Sequence, residues 1–137
     1  MNPSDAYIKA RSAGVLTYLG EPERALALLD EAEALDPFLP VWCVEERGVA
    51  LYALDRFEGA INAFSGLVFQ TIRSRLYRAA ALIALGRKND AGKLVREAMA
   101  GNAALNIGSF LREERYRDPQ RRQILTQRSI EAGMPAS

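Results

Sequence analysis

Three short stretches of this chain repeat one pattern: Leu19-Gly20-Glu21-Pro22-Glu23-Arg24-Ala25, Leu54-Asp55-Arg56-Phe57-Glu58-Gly59-Ala60 and Leu85-Gly86-Arg87-Lys88-Asn89-Asp90-Ala91. Leu, then Gly or Asp, then Ala recur at one spacing. Such repetition constrains a fold more than composition does, because each unit must bury its apolar face against its neighbours. Each stretch reads as a helix end, a tight turn and a new helix. Gly20 and Gly86 suit the left-handed conformation that closes a helix, Asp55 can adopt it at higher cost, and Pro22 fits the first turn of the helix that follows. Upstream of each turn, apolar residues recur with a helical period: Val15, Leu16 and Leu19; Leu51 and Tyr52; Ala79, Leu82 and Ile83. Downstream they do so again, at Ala25, Leu28, Leu29 and Ala32, at Ala60, Ile61 and Phe64, and at Ala91, Leu94, Val95 and Ala98. Three helical hairpins and no strand are expected.

The small and bulky positions have an order of their own. Ala13, Gly48 and Ala79 sit in the three first helices, and the second helices carry Ala25 with Leu29, Ala60 with Phe64, and Ala91 with Val95. An Ala or Gly lets two helix backbones approach, and the bulky residue one turn later fills the groove beside it. This pattern resembles the tetratricopeptide (TPR) repeat, with its small residue in the first helix and Ala-x3-Phe in the second. The resemblance implies a right-handed α-α superhelix of three TPR hairpins, at about 6–37, 41–70 and 72–102, in one domain over 1–137. The turns recur at intervals of 35 and 31 residues, against a usual repeat of about 34. The shortening is expected near the turn Gln70-Thr71-Ile72. A capping segment over about 103–137 follows, with helices expected from about Asn106 to Tyr116 and from about Pro119 to Ala132. A repeat array needs such a terminal element to cover its last apolar face.

The chain also resembles the C-terminal TPR region of bacterial class III adenylate/guanylate cyclases. The likeness rests on Asn2-Pro3 opening a repeat, Leu35-Asp36-Pro37 followed by Pro40-x-Trp42, the stretch Arg47-Gly48-Val49-Ala50-Leu51-Tyr52, and the ending Tyr116-Arg117-Asp118-Pro119 with Ala132-Gly133-Met134-Pro135. Ser129-Ile130 and Phe69-Gln70-Thr71 depart from the pattern of those proteins. The resemblance implies a regulatory, protein-binding module, with any cyclase domain in a longer parent chain or in another gene. A free-standing TPR adaptor or a self-association module is the alternative.

Composition excludes several kinds of chemistry. With no histidine in the sequence, the commonest general base, the HExxH zinc pattern and the Ser-His-Asp triad are all ruled out. No GxxxxGK[ST] phosphate loop occurs. Glu45-Glu46 and Glu113-Glu114 are sequence neighbours whose side chains diverge on a helix, so the chain is expected not to be an enzyme. Cys43 is the single cysteine, which rules out an intrachain disulfide or a thiolate cluster and reads as a small buried hydrophobe. Neither a metal nor a cofactor is expected. The first five residues lack the basic start of a signal peptide and no long apolar run follows, so the expected location is the cytoplasm. A net charge of +1 gives no reason to expect nucleic acid or a membrane as partner. Its distribution is uneven, at −6 through Gln70 and +7 from Thr71. The basic half, with Arg121 and Arg122 expected to be exposed, is a candidate second docking surface for an anionic partner or for head-to-tail association.

The TPR resemblance implies a peptide-binding groove along the first helices. Carried over residue by residue, it exposes Tyr7, Arg11, Gly14 and Tyr18 from the first repeat, Trp42, Glu45, Val49 and Tyr52 from the second, and Arg73, Leu76, Ala80 and Ile83 from the third. A protein or peptide partner is expected there, anchored on aromatic residues. Ala10, Gly14, Glu45 and Val49 stand where a carboxylate clamp would need Lys and Asn, so recognition of a chain's C-terminal carboxylate is not expected.

Overall fold

A computed structural model describes residues 3–137, with side chains described from Asp5 onward. Met1 and Asn2 lie outside the described residues, so the expected repeat opening at Asn2-Pro3 is described from Pro3 alone. The helices are α1 (Pro3–Tyr18), α2 (Pro22–Leu35), α3 (Val41–Ala53), α4 (Phe57–Ser65), α5 (Ile72–Ala84), α6 (Lys88–Gly101), α7 (Ile107–Leu111) and α8 (Pro119–Glu131). The described residues contain no strand, and the chain is all-α. No helix among them is long and apolar enough to cross a membrane.

The three repeated stretches close their helices in one way. Gly20, Asp55 and Gly86 have φ of +88°, +59° and +78°. The amide after each donates back to the carbonyl of Leu16, Leu51 or Leu82, at 2.8, 3.0 and 2.8 Å. These bonds satisfy carbonyls that the helix end would otherwise leave unpaired. α1 with α2, α3 with α4, and α5 with α6 then pack as hairpins, and each later hairpin sets its first helix against the hairpin before it.

All the close-packing positions are buried: Ala13, Gly48 and Ala79 in the first helices, and Ala25, Ala60 and Ala91 with Leu29, Phe64 and Val95 in the second. Gly48 marks the tightest approach, since a Cβ there would lie 2.5 Å from the Phe64 ring. One apolar cluster holds Ala10, Ala13, Ala25, Leu29, Cys43 and Ala50 between the first two hairpins. A larger one runs from Val49 through Phe64 and Tyr77 to Leu125 and Met134.

Two expectations about the fold need correction. The short interval arises in α4, which spans 9 residues where α2 and α6 each span 14, and not in the turn near Gln70. α4 ends at Ser65, and the Phe64 carbonyl accepts both from the Leu67 amide at 3.2 Å and from the Gln70 side-chain amide at 2.7 Å, so it is satisfied without another helical turn. The helix expected from Asn106 to Tyr116 stops at Leu111. After Arg112 the backbone leaves the helical path and crosses to α1, where the Arg117 amide donates to the Tyr18 carbonyl at 2.8 Å. α8 begins where Asp118-Pro119 marks it, with the Asp118 carboxylate accepting from the Gln120 amide at 2.9 Å, and it packs back on α5.

Candidate functional site

The first helices α1, α3 and α5 lie side by side, and much of the face expected to bind a peptide is covered by the chain itself. Glu114 and Tyr116, from the irregular segment after α7, reach into it. Arg73, near the start of α5, donates from Nε to Glu114 Oε2 at 3.0 Å, from Nη1 to Glu46 Oε1 at 2.6 Å and from Nη2 to the Tyr18 hydroxyl at 2.8 Å. The Tyr77 hydroxyl donates to Glu114 Oε1 at 2.5 Å and lies 2.7 Å from the Tyr116 hydroxyl. Tyr18 also donates to Glu114 Oε1 at 2.9 Å. One guanidinium thus joins all three hairpins to the capping segment. Arg122 secures that segment from below, donating to the carbonyls of Leu111 and Glu114, each at 2.9 Å.

Burial and charge act together on these groups. Burial works against the Arg73 charge, but Glu46 and Glu114 outweigh it and hold the guanidinium well above its ordinary value. Burial raises the Glu46 carboxyl, with Arg73 opposing and Glu114 and Glu45 adding to the rise, and one of its oxygens, Oε2, is buried without a hydrogen-bond partner. The phenols of Tyr18, Tyr77 and Tyr116 are all raised, chiefly by burial, so they serve as neutral donors. The arrangement can hold a charged side chain in a nearly dry site.

The structure divides the expected groove residues. Val49, Tyr52 and Leu76 are buried in the core, as is Ala80, because the helices pack closely enough to turn these positions inward. Tyr52 receives a hydrogen bond from Arg128 at 3.0 Å, with the guanidinium over its ring. Ile83 is half-buried and packs on the same core. Glu45 is buried, accepts a hydrogen bond from Thr71 and lies 3.8 Å from Arg73. Tyr18 and Arg73 are committed to the internal network. Tyr7, Arg11 and Trp42 remain, and they come together: the Tyr7 and Trp42 rings are 6.1 Å apart, and the Arg11 guanidinium lies 5.8 Å from the Trp42 ring.

Trp42, 43% exposed, stands between two hollows. One of about 270 Å³ is lined by Arg11, Gly14, Val15, Tyr18 and Glu46. The other, of about 480 Å³, is lined by Leu39, Pro40, Val68 and Phe69. Val68 and Phe69, and Phe38 in the loop before α3, are strongly exposed, and sequence reasoning missed all three. Their signal was available in part, since Phe38 stands between Pro37 and Pro40, and Phe69 in the turn that departs from the related pattern.

The basic C-terminal half is also less free than expected. Arg122 is used on backbone carbonyls and Arg121 lies 3.3 Å from Asp55. Cys43 is buried, with its thiol pushed up to about 11 by burial and the nearby Glu46 charge, and at that value it is a poor nucleophile. Comparison of this chain with family models, with curated proteins and with solved structures gives no match.

Proposed function

We propose that this chain is a non-catalytic protein-binding module of the tetratricopeptide kind, the regulatory region of a nucleotide-cyclase-type signalling protein, and that it takes a partner segment at the Trp42 rim. The TPR reading is supported by the recurring turns, their shared left-handed closure and the buried small positions. The cyclase part rests on the sequence resemblance alone. The observation that carries the binding reading is Trp42 itself, half-exposed between two hollows and flanked by Tyr7 and Arg11. Aromatic and Arg side chains at the edge of an apolar hollow are the residue types that dominate recognition energetics. The middle of the groove is filled by Glu114 and Tyr116, so a partner engages the open end beside α1 and the loops before α3 and α5.

Trp42 is the only tryptophan, so its fluorescence reports directly on this rim. Segments with apolar anchors should shift its emission on binding, and Tyr7→Ala should weaken them by about tenfold, or ~1.4 kcal/mol. Segments that bind Trp42→Ala and the parent protein equally, measured by calorimetry, would remove the rim as the site. The regulatory part predicts that cyclic-nucleotide output in the producing cell changes when Trp42→Ala is introduced. Unchanged output would remove that part and leave the binding reading standing.

A further inference from the structure

Along α1 and its last turn, Asp5, Ile8, Ser12, Val15 and Leu19 follow at alternating steps of three and four residues, and all five are exposed. Ile8, Val15 and Leu19 are 61%, 53% and 46% exposed. This alternation is the seam spacing of two helices packed along their length. The repeat register gives these positions further meaning. The residues equivalent to Ile8 and Val15 are Cys43 and Ala50 in α3, and Ser74 and Ala81 in α5, and all four are fully buried. Cys43 and Ala50 pack on the hairpin before them. Interior hairpins therefore stack through small residues, whereas α1 presents Ile and Val. Those are too bulky for the same close stacking but suited to interdigitating with another helix.

The face is complementary to itself. Ile8, Ser12 and Val15 of the exposed ridge form one wall of a hollow of about 620 Å³, which Arg11, Arg24 and Leu28 also line. With ridge and hollow on one surface, a twofold axis can set each ridge into the other copy's hollow. Ser12, the smallest seam residue, stands at the centre, where two antiparallel helices approach most closely. The same arrangement brings Asp5 of one copy toward Arg24 of the other. Arg24 already holds Glu21 at 2.9 Å, but that pair is exposed and a second carboxylate can join it; Lys9 is 3.7 Å from Glu31, and Arg11 is exposed, so its charge can stay in water. We infer that two copies of this chain associate through this face, α1 against α1, antiparallel about an axis near Ser12. The inference does not rest on the Trp42 rim.

Sedimentation of the full chain tests it. The parent protein should be a dimer that dissociates on dilution, and Ile8→Glu and Val15→Glu should each be monomeric with an unchanged helical spectrum. Ser12→Cys should link two copies on mild oxidation, while Gln127→Cys on the exposed side of α8 should not. If a charged variant fails to fold, the Ser12→Cys result decides. A parent protein still monomeric at about 100 µM, where a dimer of ~10 µM affinity would be mostly formed, overturns the inference, even if the face takes up some other helix. A dimer that survives both charged variants, or one that Ser12→Cys leaves unlinked, overturns it as well.

Discussion

At the residue scale, the same glycine chemistry has opposite consequences within one hairpin. A Cβ at Gly48 would lie 2.5 Å from Phe64, whereas one at Gly59 would meet Leu51 at 3.7 Å, an ordinary contact. Gly48→Ala should therefore destabilise by about 1–3 kcal/mol through overpacking. Gly59→Ala, inside α4, should be neutral or stabilise by up to ~1 kcal/mol, because Ala costs less backbone entropy in a helix. Urea denaturation of the two variants checks both signs. Glu46 offers a second test. Its carboxyl is raised in the folded protein, so the native state binds its proton more tightly than the unfolded chain does. That contribution to stability is fully present below the ordinary glutamate range and is lost as pH rises through the raised value. Relative to Glu46→Gln, the parent protein should therefore lose stability as pH rises above the ordinary glutamate value of about 4.3, as measured by denaturation at each pH. A constant difference would show that Arg73 cancels the cost of burial.

At the scale of elements, the capping segment shows tertiary structure overriding local tendency. Residues from Arg112 to Tyr116 include good helix formers, yet the helix ends at Leu111 so that Glu114 and Tyr116 can reach Arg73 and Tyr77. Arg73 is 22% exposed at its side chain and Glu114 is 3% exposed, so the pair is far from a surface ion pair. Arg73→Ala leaves Glu46 and Glu114 without their cation and should cost about 3–5 kcal/mol. Adding Glu114→Gln should recover part of that loss, since one uncompensated charge is removed with it. A double-mutant cycle from denaturant unfolding gives the coupling, and strict additivity would mean that the two side chains do not act together.

At the scale of the whole molecule, the two ends of the array are treated differently. The last hairpin is covered by the segment that follows α6, which places Leu105, Ile107, Phe110, Leu111, Leu125 and Met134 in the main core. Each such burial is worth about 1.5–3 kcal/mol, and together they rival the ~5–15 kcal/mol net stability of a typical domain. A chain ending at Asn102 should therefore lose cooperative thermal unfolding and aggregate, as followed by calorimetry and light scattering. A truncated chain with an unchanged midpoint would mean that the hairpins are stable without the cap. The first hairpin instead leaves Ile8 and Val15 uncovered among the described residues.

Much of the architecture was legible in the sequence because it is written in local chemistry. The turns follow from Gly20, Asp55 and Gly86, the hairpin contacts from the spacing of Ala25, Ala60 and Ala91, and the start of α8 from Asp118-Pro119. The groove was legible only in part. Periodicity says which residues share a helix face, but how deeply that face is buried depends on the neighbouring helices and on what crosses it. Val49, Tyr52 and Leu76 turned inward for the first reason, and Tyr18 and Arg73 were taken up by Glu114 for the second. No sequence pattern links Arg73 to a glutamate 41 residues away, because a buried ion pair is chosen by the geometry of packing and not by spacing along the chain. The sequence by itself determined the helices and their order; the tertiary structure decided which of their faces remained open to bind.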